Sequence, residues 1–226
     1  MKKLLLLLII SICVISSTAQ STYIYPTQNW DKASPSKYSY DSEKIKKAHQ
    51  YVVDSLNTTG LMVIVGGEAI LEYGSTTRIS YIASCRKSVL AMMYGKYIEN
   101  GTIDLSLTIG QLGIDDIDGL LPIEKTATIE NLITARSGVY HNASNSGDDA
   151  ESRPVRGTKM PGEYFLYNNW DFNVAGEIFE MLAGKDIYEA FQEDIAIPIG
   201  MQDYKLSNQR KGGNPKLSKY LPYHFY

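Results

Sequence analysis

Two residues one helical turn apart, Ser84 and Lys87, have the types and the spacing of an acyl-transfer site. On an α-helix, side chains three residues apart lie on the same face, so the lysine amine can reach the serine hydroxyl. The start of a helix also offers free backbone N–H groups and positive potential, which favour an oxyanion. Together these parts predict a serine nucleophile activated by a lysine base.

The chain around this pair predicts β-structure before it and a buried helix after it. A strand is predicted over Arg78 to Ile82, and a helix from Ser84 to Asn100, since that segment is apolar nearly all round. A lysine in such a helix is desolvated, which lowers its pKa and suits it to act as a base near neutral pH. The simpler alternative is that Ser84 only caps the helix.

A second Ser-x-x-Lys match, from Ser34 to Lys37, contains a proline and lies in a polar lead-in. No helix is predicted there to set its geometry, so we discard it.

Tyr167 and Asn169 are the next candidates. A tyrosine hydroxyl near a lysine can relay a proton to a leaving group, and an asparagine amide can hold both a substrate amide and the lysine. The alternative is a core aromatic followed by an asparagine helix cap. A rival motif, Tyr140-His141-Asn142, follows a Ser-Gly turn. Tyr167 is preferred because Pro161-Gly162-Glu163 precedes it and a predicted buried helix follows.

Three segments in order resemble the serine β-lactamase-related hydrolases: 84–88 (SCRKS), 128–138 (TIENLITARSG) and 161–169 (PGEYFLYNN). The similarity is to the class C branch, which includes class C β-lactamases, D-alanyl-D-alanine carboxypeptidases and related esterases and amide hydrolases. It runs from roughly residue 40 to the C-terminus. This resemblance implies an α+β fold of the β-lactamase/transpeptidase type, in which an antiparallel sheet packs against helices beside a mostly helical region.

The resemblance also implies roles for the candidate residues. Ser84 would be the nucleophile that forms an acyl-enzyme, and Lys87 its base. Tyr167 would assist proton transfer to the leaving group and activate the hydrolytic water. Asn169 would orient the substrate and Lys87, and the Ser84 backbone N–H would be one oxyanion donor. No metal or other cofactor is implied.

This chain departs from the family pattern at one motif. The family has a Lys-Thr-Gly or His-x-Gly motif on a later strand, which also carries the second oxyanion donor. Lys211-Gly212-Gly213 is the lookalike here, and its surroundings predict a loop. The last residues, 220–226, are aromatic and no strand is predicted after them. We therefore expect the C-terminal strands of the sheet to be missing.

The rest of the chain predicts a hairpin and several helices. Helices are predicted from Asp41 or Ser42 to Leu56, Thr128 to Arg136, Trp170 to Ala183 and Asp186 to Ile195. The hairpin is predicted from two apolar runs, 61–65 and 68–73, around a Gly-Gly turn. The predicted organisation is a signal peptide over 1–19, an extended lead-in over 20–40 and a partial domain over 41–226.

The N-terminus predicts export to the periplasm or outside the cell. Two lysines, a short apolar run and small residues before position 20 are typical of a cleaved signal peptide. An uncleaved anchor, or lipidation at Cys13, is the alternative. Cleavage would leave Cys85 as the one cysteine, so no intramolecular disulfide is predicted. The three histidines lack metal-ligand spacing, and no basic stripe predicts nucleic-acid binding.

The sequence thus predicts a secreted serine hydrolase that cleaves an amide or ester bond through an acyl-enzyme at Ser84. Its substrate would be a small molecule or a peptide: a β-lactam, a D-alanyl peptide, a short ester or an amide oligomer. One alternative is a truncated, non-catalytic relative that only binds ligand, or a gene fragment. The other is a secreted interaction domain in which Ser84 is merely a cap.

Overall fold

The computed structural model describes residues 24–145, 147 and 149–226. The chain divides into two compact units, with the boundary between Arg78 and Ile79. The predicted signal peptide, including Cys13, lies outside the described residues. Across the residues that are described, no helix is both long enough and apolar enough to cross a membrane.

The first unit contains the predicted helix and hairpin. Helix α1 spans Ser42–Ser55, and the Asp41 carboxylate accepts hydrogen bonds from two backbone N–H groups of its first turn. Strands β1 (Gly60–Val65) and β2 (Glu68–Gly74) pair antiparallel. They are joined at Gly66-Gly67, where both residues have positive φ, a conformation that glycine adopts without strain.

The strand predicted over residues 78–82 is wrong, because this segment has no strand geometry. A 3₁₀ turn, Ala83–Cys85, follows it directly. Ala83 has φ of +48°, which turns the chain sharply before Ser84. A β-rich composition alone does not make a strand. The backbone N–H of Ile82 does donate to the carbonyl of Phe225 at 3.1 Å, but the turn at Ala83 ends the segment there.

The second unit is mostly helical. Its helices are α2 (Arg86–Glu99), α3 (Ile129–Ile133), α4 (Trp170–Ala183) and α5 (Ile187–Phe191). The prediction for α4 matches both ends of the helix. Helix α2 begins two residues later than predicted, after the 3₁₀ turn. Helix α5 is shorter than predicted, because the chain continues as one π-helical turn, Gln192–Ala196.

Helices α2, α3 and α4 bury their apolar faces in one core, whose centre includes Leu90, Tyr94, Leu132, Val174 and Phe179. The predicted burial of α2 is wrong for its outer face, where Met92 is 61% exposed. An apolar helix surface becomes buried only where another element packs on it. Among the described residues, the core contacts cover one side of α2.

A short pair of strands forms near the C-terminus. Strands β3 (Arg210–Lys211) and β4 (Tyr223–His224) pair antiparallel. The predicted loop at Lys211 is therefore wrong, since Lys211 belongs to β3. Strand β4 lies within the aromatic residues at the end of the chain. Tyr223 is 1% exposed in the core, so packing, rather than the polar local sequence, holds this pair in place. The architecture is α+β, with helices and small antiparallel sheets.

Candidate active site

The amine of Lys87 connects the four predicted site residues. Lys87 lies in the first turn of α2 and is 7% exposed. Its Nζ donates to Ser84 Oγ at 3.1 Å, to Tyr167 Oη at 3.1 Å and to Asn169 Oδ1 at 2.7 Å. Residues separated by more than eighty positions thus meet at one nitrogen atom.

Ser84 is the open member of this group. It belongs to the 3₁₀ turn before α2, and its side chain is exposed while Lys87 behind it is buried. The left-handed backbone of Ala83 aims Ser84 toward the lysine. Such a conformation costs a non-glycine residue about 1–2 kcal/mol, which the surrounding structure must offset. A molecule from solvent can reach the hydroxyl, whereas the amine is shielded.

The phenol of Tyr167 lies in a positively charged environment. Burial favours the neutral phenol, but hydrogen bonding with Ser84 and Lys87 and the charges of Lys87 and Arg86 together outweigh it. These hydrogen bonds and charges together lower the pKa of the Tyr167 hydroxyl below its ordinary value. The Lys87 ammonium also lies 4.6 Å from the centre of the Tyr167 ring. A phenol in this position gives up its proton more easily than an isolated tyrosine does.

Two adjacent asparagines before α4 have different partners. Asn168 accepts a hydrogen bond from the backbone N–H of Asp171 and donates to the Leu166 carbonyl, so it caps the helix. Asn169 makes no side-chain cap and reaches Lys87 instead. The alternative interpretation of this segment, an asparagine cap, thus describes Asn168.

The rival motifs lie elsewhere. The hydroxyl of Tyr140 is buried without a hydrogen-bond partner among the described residues, and burial raises its pKa to about 12. The imidazole of His141 contacts the backbone carbonyls of Ile117 and Asn142. In the first unit, Lys37 forms its ion pair with Glu68, and its side chain is half exposed.

Sequence reasoning missed Arg86, which lies between the nucleophile candidate and the lysine. It is 1% exposed, its Nη2 donates to Asn173 Oδ1 at 2.7 Å, and its guanidinium lies 4.4 Å from the centre of the Tyr223 ring. The first turn of α2 contains no acidic residue. Two cations at the positive end of a helix are each unfavourable by roughly 0.3–1 kcal/mol, so this placement opposes stability.

The arrangement supplies a nucleophile, a proton-transfer pair and an orienting amide. Among the described residues, no group of histidine, cysteine and acidic side chains is arranged to hold a metal ion. Cys85 is a free, exposed thiol beside Ser84.

Residues 52–220 match the family model described as Beta-lactamase, a span well over half of the chain. The fold is also similar to the crystal structure of a β-lactamase from Mycobacterium bovis, at 19% sequence identity and a TM-score of 0.44. That match covers 69% of this chain and 46% of the other, so the chain spans less than half the length of that structure. On the family match, the chain belongs to the β-lactamase family.

Proposed function

We propose that this chain is a serine hydrolase of the class C type, which cleaves an amide or ester bond through an acyl-enzyme at Ser84. The observation that carries the proposal is the set of three hydrogen bonds from Lys87 Nζ to Ser84, Tyr167 and Asn169. A cap serine with a surface lysine would not need a buried amine, nor a tyrosine and an asparagine from a distant segment.

Acylation begins with attack of Ser84 Oγ on the substrate carbonyl carbon. Lys87 acts in its neutral amine form: it takes the hydroxyl proton as the Oγ–C bond forms and becomes an ammonium, while the carbonyl electron pair moves onto oxygen. The collapsing intermediate returns that pair and breaks the bond to the leaving group, which accepts a proton from Tyr167. The products of this half are the Ser84 ester and the free amine or alcohol.

Deacylation repeats the transfers with water as the nucleophile. Tyr167, now a phenolate, removes a proton from water as the hydroxide adds to the ester carbonyl carbon. The bond to Ser84 Oγ breaks, and Ser84 recovers its proton from Lys87. Asn169 holds Lys87 and the substrate amide throughout. The lowered pKa of Tyr167 favours the first duty, since a phenol whose pKa lies below its ordinary value gives up its proton to the leaving group more easily.

We propose export to the periplasm or the medium, on the signal-like residues 1–19. The substrate would be a small molecule or a peptide with an amide or ester bond. The exposed position of Ser84 supports access for β-lactams, D-alanyl peptides, short esters or amide oligomers.

Covalent labelling tests this proposal. The full chain is incubated with a fluorophosphonate and with a fluorescent penicillin, and intact-mass spectrometry measures the adduct. We expect one adduct on Ser84, and none in Ser84→Ala. The matched control is Ser88→Ala, because Ser88 is an exposed serine one turn further along α2. That variant should label like the parent.

A folded parent that forms no adduct and hydrolyses no ester would contradict the proposal. That outcome would favour a relative that only binds ligand. Adduct on Ser88 or on Cys85 in place of Ser84 would also contradict it.

A further inference from the structure

The amine of Lys87 lies against two aromatic rings as well as three oxygen atoms. Nζ is 4.6 Å from the centre of the Tyr167 ring and 5.3 Å from the centre of the Phe172 ring. Both distances are within the roughly 6 Å over which the face of a ring attracts a cation. The hydrogen bonds to Ser84, Tyr167 and Asn169 use the three N–H groups of an ammonium. The surroundings therefore favour the charged form of the lysine.

Phe172 reaches the amine from the first turn of α4. It lies three residues after Asn169, so the two side chains share one face at the start of the helix. Asn169 supplies an oxygen atom to Nζ at 2.7 Å, and Phe172 supplies the face of its ring. Unlike Tyr167, Phe172 has no polar atom and cannot transfer a proton. Its effect on the amine is therefore confined to the charge distribution of its ring and to packing.

The ring of Phe172 distinguishes the two protonation states of Lys87. In the acylation step proposed above, the neutral amine becomes an ammonium as it takes the Ser84 proton. The negative face of the ring attracts the ammonium, whereas a neutral amine carries no net charge for the ring to attract. Phe172 thus favours the state in which Lys87 holds the proton.

We propose that Phe172 is a positioning residue that acts through Lys87, its ring stabilising the ammonium that forms when Lys87 accepts the Ser84 proton. The purpose of this contact rests on the proposed function, whereas its effect on the amine does not depend on turnover. No bond to Phe172 forms or breaks.

Other titratable or charged groups lie on the elements around the start of α2. Tyr167 contacts the amine directly, and the Arg86 guanidinium lies against Tyr223. These groups are Tyr167 before α4, Asp171 in α4, Cys85 in the 3₁₀ turn, Arg86 in α2 and Tyr223 in β4. The substitutions at position 172 leave all of them in place, so a change in the titration of Lys87 is attributable to the ring.

The test follows the ionisation of Lys87 directly. Protein labelled with [¹³Cε]lysine is titrated by NMR, and the Lys87 resonance is assigned by its loss in Lys87→Met. Phe172→Leu keeps a bulky apolar side chain but has no ring face. In this variant we expect the Lys87 ammonium to become roughly 2- to 30-fold more acidic, the fold-change that corresponds to one cation–π contact.

Fluorinated phenylalanines at position 172 change the charge distribution of the ring with little change in its shape. Fluorine withdraws electron density from the ring face, so trifluorophenylalanine should lower the Lys87 midpoint more than monofluorophenylalanine does. This series applies also if Phe172→Leu does not fold. The matched control is Phe165→Leu, which removes a ring that lies 5.9 Å from the Arg136 guanidinium. That variant should leave the Lys87 midpoint unchanged.

The pH dependence of Ser84 labelling gives a second measurement. In Phe172→Leu a larger fraction of the amine is neutral at low pH, but this amine is a weaker base. Labelling should therefore be faster than in the parent on the acid side of the profile and slower at its plateau. Labelling that is slower at every pH would indicate a structural defect and would contradict the inference.

An unmoved Lys87 midpoint in folded Phe172→Leu or in the trifluorinated protein would overturn the inference and leave Phe172 as a packing residue. An equal fall in Phe165→Leu would overturn it as well. The Ser84 adduct separates the two proposals. A Lys87 midpoint that falls in protein that never forms this adduct supports the effect of the ring and contradicts the proposed hydrolase.

Discussion

At the scale of single residues, Lys87 makes three hydrogen bonds from a position that is 7% exposed. Its ammonium also lies 5.3 Å from the centre of the Phe172 ring. A lysine so enclosed has little freedom to leave Ser84 and Tyr167, and this preorganisation favours proton transfer over solvation.

Replacing Lys87 should slow the labelling of Ser84 without unfolding the protein. We expect Lys87→Met to lower the rate of Ser84 labelling by about 10²–10⁴-fold, since a positioned base contributes that much. The fold should persist, because methionine retains most of the aliphatic stem and removes a buried cation. Labelling reactions that are quenched at successive times measure this rate.

The control is Lys96→Met, which changes a lysine of the same helix whose side chain is 59% exposed and pairs with Asp194. It should label at the parental rate. Equal rates for Lys87→Met and Lys96→Met would contradict the assignment of a base.

At the scale of elements, the chemistry depends on how α2 and α4 approach β4. Gly176 lies in the middle of α4, where an added Cβ would overlap the Tyr223 ring. Tyr223 in turn covers Arg86. The absence of a side chain at position 176 therefore lets α4 pack closely on the strand that encloses this cation.

Adding one methyl group at this contact should destabilise the protein. We expect Gly176→Ala to lower the free energy of unfolding by about 1–3 kcal/mol, the usual cost of overpacking. Gly95→Ala is the matched control, because Gly95 lies inside α2 with no atom within 4 Å of its would-be Cβ. That variant should gain roughly 0.5–1 kcal/mol from helix propensity. Urea unfolding measures both, and a neutral Gly176→Ala would contradict the packing argument.

The two asparagines before α4 should separate stability from activity. Asn168→Ala removes the helix cap and should cost about 1 kcal/mol of stability, with labelling per folded molecule retained. Asn169→Ala leaves the cap in place and frees Lys87, so labelling should fall by about 10²-fold. Melting temperatures and labelling rates measured on the same samples check this. The reverse pattern would show that the two roles are exchanged.

At the scale of the whole molecule, Asp116 ties distant segments of the second unit together. It is 3% exposed and accepts hydrogen bonds from Trp170 Nε1 at the start of α4, from Ser218 Oγ and from the backbone N–H of Lys219. The residues just before β4 are thereby held to the base of the site helix. One carboxylate thus helps to keep α4 and the C-terminal segment in place.

This carboxylate should make stability sensitive to acid. Burial favours its neutral form, but the hydrogen bonds from Ser218, Lys219, Trp170 and Ile117 prevail and lower the pKa of Asp116 below 3.8. Because the pKa of Asp116 is lower in the folded state, its stabilising effect is complete above pH 3.8. The effect is lost as the pH falls through the folded-state pKa.

We expect Asp116→Asn to lose about 2–3 kcal/mol at pH 7, since an amide cannot accept these donors as an anion does. The difference in free energy of unfolding between this variant and the parent should shrink below pH 3.8. Urea unfolding at several pH values measures it. Asp118→Asn is the control, because Asp118 is exposed on the same turn. A difference that stays constant down to pH 2 would contradict the argument.

Local interactions explain the features that could be predicted from the sequence. The ends of α4 follow from apolar periodicity and from Gly184, whose left-handed backbone ends the helix. The hairpin of the first unit follows from its two apolar runs and Gly-Gly turn. The proximity of Ser84 and Lys87 follows from three-residue spacing alone, which the 3₁₀ turn also satisfies.

Contacts between distant segments were decided by tertiary packing. The family resemblance implied that Tyr167 and Asn169 act with Lys87, but position in the chain predicts neither their contact with one nitrogen atom nor which of two asparagines caps α4. The pairing of β3 with β4 and the exposure of Met92 likewise depend on which surfaces the core covers. Arg86 is the clearest case. Its sequence neighbours favour an ordinary helix-start cation, and only the packing of Tyr223 and Asn173 around it makes it a buried cation.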